Sequence, residues 1–88
     1  MFRLWGKIVK DSRIIKSLTV DRPEKDTRTH KIFAAIEALC REWDLGNPIW
    51  LDSNISEFKK RGHTRFYREN FIEQIEFDFM EIQVLEED

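Results

Sequence analysis

Ten consecutive residues, Lys59-Lys60-Arg61-Gly62-His63-Thr64-Arg65-Phe66-Tyr67-Arg68, hold the densest chemistry in the chain: five permanent cations and a histidine interleaved with two adjacent aromatics. Cations neutralise phosphates and aromatic faces stack on unpaired bases, so this combination meets the needs of a binder of single-stranded nucleic acid. It suits an acidic protein surface equally well. The net charge of −2 favours the protein surface, because nucleic-acid-binding domains are normally basic. The candidate binding residues are Lys59, Lys60, Arg61, His63, Arg65, Tyr67 and Arg68. In the opposing, purely structural reading Phe66 enters the core, and the three leading cations sit at a helix carboxyl end, where the dipole favours them.

Catalytic constellations are sparse. The single cysteine, Cys40, lies on an apolar stripe, whereas a nucleophilic thiol needs partial exposure and a cationic neighbour. His30 and His63 are far apart in sequence and form neither a His-x-x-x-His pair nor a partnership with a second Cys, so no metal site is expected. His63 beside Asp52 or a carboxylate of the last strand has the makings of a base, but no Ser, Cys or oxyanion loop converges on it by spacing. The pairs Glu86-Glu87 and Glu24 with Asp26 read as solvated carboxylates. No enzyme, cofactor or metal is expected, and one cysteine cannot form an intramolecular disulfide.

The charge is laid out in blocks. Residues 1–31, 32–58, 59–68 and 69–88 carry net charges of +5, −4, +5 and −8. Such blocks either pair within the fold or face a charged partner. Opposite charges on adjacent strands contribute about 0.2–1 kcal/mol each, so the basic amino-terminal hairpin is expected to pair with the acidic last strand.

These residues need elements to position them. Eighty-eight residues make one small domain over 1–88. Phe2, Leu4, Gly6 and Ile8 alternate with Arg3, Trp5, Lys7 and Val9, the period of a strand. After the turn formers Asp11 and Ser12, residues 14–20 alternate again and are rich in β-branched side chains, which completes a hairpin. Pro23 marks a polar loop. Asp26 or Thr27 then caps a helix from about Thr27 to Asp44 with Ile32, Phe33, Ile36, Leu39, Cys40 and Trp43 on one stripe. Gly46 is expected to close it in a left-handed cap.

Ile49-Trp50-Leu51 suits a short buried strand or a lid over the core; its length does not decide, and the strand is the preferred reading. Asn54-Ile55-Ser56-Glu57 has the arrangement of a capping box, opening a short surface helix that ends at Gly62. Ile75, Phe77 and Phe79 begin a last strand that Ile82 and Val84 continue with shifted parity, as a bulge near Met80-Glu81 would produce.

The segments Asp26-Thr27-Arg28-Thr29-His30-Lys31, Pro48-Ile49-Trp50-Leu51-Asp52-Ser53 and Glu76-Phe77-Asp78-Phe79 resemble a group of small uncharacterised proteins of anaerobic Gram-positive bacteria. The resemblance spans nearly the whole chain and implies a cytoplasmic protein; the group has no activity to carry over. It marks Arg28, His30, Trp50 and Asp52 as a second candidate surface. The amino terminus, which lacks a continuous apolar region, leads to the same location, and no apolar run approaches the roughly 20 residues of a membrane span.

The expected architecture is a two-layer α+β domain in β-β-α-β-α-β order. One main helix packs across one face of an antiparallel sheet of three to four strands, and a short second helix accompanies it. The other face carries Trp5, Val9 and Met80 or Ile82, more apolar than solvent requires, which implies a covering element, a protein partner or a homodimer. The leading function is a non-enzymatic protein-interaction module; a single-stranded nucleic-acid binder using residues 59–68 is the alternative. A third reading makes the −8 tail an imitation of nucleic-acid charge.

Overall fold

A computed structural model describes residues 1–23 and 25–87; Glu24, half of the Glu24–Asp26 pair, lies outside them. The chain begins with an antiparallel hairpin of β1 (Phe2–Lys10) and β2 (Arg13–Arg22). Its two-residue turn places Asp11 and Ser12 at φ 52° and 65°. Both central residues of this tight turn are left-handed, so its twist matches that of the flanking strands, and short polar side chains tolerate the conformation. Ile15 is an extra residue on β2, because Ile8 faces Lys16 while Val9 faces Ile14.

Helix α1 (Arg28–Glu42) starts where Thr27 Oγ1 accepts the His30 N–H at 3.2 Å. It buries Ile32, Ala35, Ile36, Leu39 and Cys40. Phe33, expected on this stripe, is half exposed, since the neighbouring Ala35 and Ile36 take the inward positions. The left-handed residue at its carboxyl end is Asp44, at φ 55°, rather than Gly46. Helix α2 (Asp52–Arg61) follows after the connecting residues 43–51 and stops at Gly62, whose φ of 72° suits a residue without a Cβ. Strand β3 (His63–Phe66), a 3₁₀ turn (Arg68–Asn70) and β4 (Phe79–Glu86) complete the chain.

The four strands form one antiparallel sheet in the order β2-β1-β4-β3. The expected class therefore holds: a small α+β fold with an antiparallel sheet and two helices, and α2 joins α1 on one side of the sheet rather than covering the other. The element order differs from the expectation. Ile49-Trp50-Leu51 is not a strand, because Trp50 has no ladder to join; it lies edge-on to Phe33, Phe58 and Phe66, with ring centroids 5.2–6.2 Å away, and covers the core. The third strand is instead His63–Phe66.

Residues 75–78 also lie outside the last strand, which removes the apparent parity shift at Met80-Glu81. The register shift of β4 falls at Leu85, since Leu4 faces Val84 while Arg3 faces Glu86. Met80 and Ile82, expected on the outer face, are fully buried beneath the helices with Phe2, Leu4, Ile8 and Phe66. Gly6 shares that inner face, and a Cβ there would lie 2.4 Å from Leu39 Cδ1, so glycine is what lets α1 approach β1.

The buried centre between α2 and β3 is polar. Asn54 Nδ2 donates to Thr64 Oγ1 and to the Arg65 carbonyl, both at 2.9 Å. Its Oδ1 accepts from Leu51 N–H at 3.0 Å and from Asn70 Nδ2 at 2.8 Å. Asn70 also donates to the Ile49 carbonyl at 2.8 Å and accepts the Tyr67 N–H at 2.9 Å. Asn54 is thus the third residue of α2 reaching back to its entry, not the helix cap itself, and Glu57 takes no part.

Candidate binding surface

Alternation along β1, β3 and β4 divides the sheet into an inner face under the helices and an open one. Thr64 and Phe66 are fully buried, so His63 and Arg65 lie on the open face. Their register with Gln83 and Glu81, and the register of those with Trp5 and Lys7, sets the outer side chains of β3, β4 and β1 in rows. Phe79 and Val9 form the next row.

The middle of this surface is an ionic row. Arg65 Nε is 2.7 Å from Glu81 Oε1, and Lys7 Nζ is 3.7 Å from Glu81 Oε2. The Glu81 side chain is only 11% exposed, so it needs both cations to offset its desolvation. Its hydrogen bond, with a smaller contribution from Tyr67, holds the Arg65 guanidinium above its ordinary range. Each cation also covers a ring. The Arg65 guanidinium lies 4.4 Å from the Phe79 centroid and Lys7 Nζ 4.9 Å from that of Trp5. Trp5 Nε1 donates to Ser17 Oγ at 2.7 Å, and the Tyr67 ring rests against Phe79 at 5.7 Å. At the far corner Arg3 pairs with Asp21 at 3.0 Å.

The segment 59–68 is therefore split. His63, Arg65 and Tyr67 come to the open face and to an adjoining groove of about 500 Å³, bounded also by Ser53, Glu57 and Glu69. Lys59, Lys60 and Arg61 are exposed in the last turn of α2, within the helical layer. Arg68 is exposed in the 3₁₀ turn. The expected pairing of the acidic strand with the basic hairpin occurs at Glu81–Lys7; Glu87 instead holds Arg28 of α1 at 3.0 Å, and Asp78 accepts the Asp11 N–H at 2.9 Å.

Two of the four residues of the second candidate surface come close together. The Arg28 guanidinium lies 5.3 Å from the Phe58 ring, which Trp50 abuts. Trp50 also lines a shallow apolar pocket of about 230 Å³ with Thr29, Ile32, Phe33 and Ile55. His30 turns to Asp26, 3.0 Å away, and Asp52 is exposed at the start of α2.

Burial pushes the Cys40 thiol up to about 11, which suits a packing role. No cluster of three His, Cys, Asp or Glu side chains able to hold a metal occurs among the described residues, and none of their helices is long and apolar enough to cross a membrane. Sequence reasoning missed Lys7, Phe79 and Glu81 as surface partners of Arg65. Strand parity would have found them once β3 was recognised.

No family model, curated protein or solved structure matches the chain.

Proposed function

We propose that this chain is a non-enzymatic protein-interaction module that binds through the open face of its sheet. The observation that carries the reading is the cluster Trp5, Lys7, Glu81, Arg65 and Phe79, presented on adjacent strands with both helices on the opposite side. Trp, Tyr and Arg supply most of the energy at protein interfaces because they bury large areas at low entropic cost. Here Trp5 and Arg65 are held in place by Ser17 and Glu81 before any partner arrives, which reduces the ordering cost of binding. The test is affinity capture with the native protein, a Trp5→Ser/Arg65→Ala variant and a Phe33→Ser variant. The reading requires a co-purifying protein that is lost with the first variant and kept with the second; equal recovery by all three refutes it.

A second reading has its own support. Lys7, His63 and Arg65 flank Trp5, Tyr67 and Phe79, the mixture that tracks a single strand. Three phosphate contacts predict a logarithmic salt slope of about −2 for single-stranded oligonucleotides. A titration at several salt concentrations that shows no binding at low salt removes this alternative.

A further inference from the structure

The two edges of the sheet are treated differently by the fold. Val84 N–H donates to the Gly62 carbonyl at 2.8 Å, so even-numbered residues of β4 turn their backbone groups to β3 and odd-numbered ones to β1. The registers Trp5 with Gln83 and Lys7 with Glu81 carry the alternation into β1, whose even residues face β2. On β3 the outward groups belong to residues 63, 65 and 67. The Arg65 carbonyl and Tyr67 N–H among them are taken by Asn54 and Asn70. That edge is therefore capped by side chains at its carboxyl end, beyond the Arg65 N–H.

On β2 the pairs Leu4–Val20, Gly6–Leu18 and Ile8–Lys16 leave the backbone of Ser17, Thr19 and Asp21 facing outward, and no hydrogen bond among the described residues covers them. Such a row is a template for another strand. A second copy fits it poorly. The regular run is residues 16–22, bounded by the extra residue Ile15 and by Pro23. Antiparallel self-pairing in full overlap, centred on Thr19, sets Lys16 of each copy opposite Arg22 of the other and so brings no carboxylate to Lys16. Beside this run, Lys10, Arg13 and Lys16 are exposed and unpaired among the described residues, and Ile14 and Ile15 are half exposed.

We infer that the β2 edge accepts an extended peptide segment as a fifth strand, antiparallel to β2, with acidic residues at the peptide's carboxyl end against Lys16 and Arg13. The inference rests on the reading of the chain as a protein-binding module but uses a different surface. Hydrogen bonds to Ser17, Thr19 and Asp21 supply the attachment, and the cations supply the direction.

The test is an NMR titration of the labelled protein with acetyl-Thr-Val-Thr-Val-Thr-Glu-Thr-Glu-amide. Saturable shifts and slowed exchange at the Ser17, Thr19 and Asp21 amides are expected, and a Lys-for-Glu peptide should not reproduce them. Thr19→Pro removes an outward donor without touching the β1 ladder and should abolish binding. Lys16→Glu, which exchanges an attraction for a repulsion, should weaken it about tenfold. Phe33→Ser, a half-exposed position on α1 away from β2, should leave it unchanged. The inference is overturned by no saturation at about millimolar peptide, by shifts confined to Trp5, Arg65 and Phe79, or by concentration-dependent dimerisation through the same amides without peptide.

Discussion

Replacing Asn54 by alanine removes four hydrogen bonds at once and leaves their partners in two environments. The Thr64 hydroxyl and one Asn70 N–H are fully enclosed, since those residues are 0% and 2% exposed. A buried polar group without a partner costs about 1–3 kcal/mol, so about 1 kcal/mol each is a lower figure for these two. The Leu51 N–H and Arg65 carbonyl adjoin the groove of about 500 Å³, where water can replace Asn54, and about 0.5 kcal/mol each remains. The total is about 3 kcal/mol, a large part of the ~5–15 kcal/mol that holds a small domain. With a urea slope of roughly 1 kcal/mol per molar, the midpoint followed by tryptophan fluorescence should fall by about 3 M. Asn70→Ala shares one of these bonds, so the double variant should lose less than the sum of the two single losses. A midpoint shift below about 0.5 M with an unchanged slope would refute the reasoning: the network would then be hydrated and replaceable.

Three further outcomes follow from the packing and the titrating groups. Gly6→Ala drives a methyl group against Leu39 and should cost about 1–3 kcal/mol in the same unfolding assay, with part recovered when Leu39 is reduced to Val. Cys40 should resist a thiol reagent at neutral pH in the native state and react at once in denaturant, because the thiol is buried and its ionisation displaced to about 11. The Asp26 carboxylate, which accepts the Thr27 N–H and then pairs with His30, is held below its ordinary value. Its contribution to stability is therefore present above the unfolded-state value of about 3.9 and disappears as pH falls through the lower folded-state value. Carbon-detected NMR titration should place Asp26 below a free aspartate, and His30→Ala should return it only part of the way, because the backbone bond is the larger cause.

Much of the architecture could be read from local pattern. The hairpin is encoded by alternation on either side of Asp11-Ser12, interrupted by the extra residue Ile15, and α1 by a Thr cap and a stripe that lands on Ile32, Ile36, Leu39 and Cys40. The end of α2 is encoded by Gly62, the one glycine here with a left-handed backbone. The differences came from short runs. Ile49-Trp50-Leu51 and His63–Phe66 are both too brief for periodicity to classify, and their roles depend on what lies opposite. β3 becomes a strand because β4 offers a free ladder, whereas Trp50 meets the rings of Phe33, Phe58 and Phe66.

The candidate surface was legible in composition but not in arrangement. The cations and aromatics of residues 59–68 stand out in the sequence, yet only strand pairing reveals that Arg65 shares Glu81 with Lys7, 58 positions away in the numbering. The sequence by itself determined the class of fold, the main helix and its buried stripe, and the amino-terminal hairpin, because each depends on neighbours within a few residues. The tertiary structure alone decided which face of the sheet is open, which edge Asn54 and Asn70 cap, and how segment 59–68 divides between two layers. Those outcomes depend on register and on long-range pairing, where a shift of one residue turns every side chain to the other face.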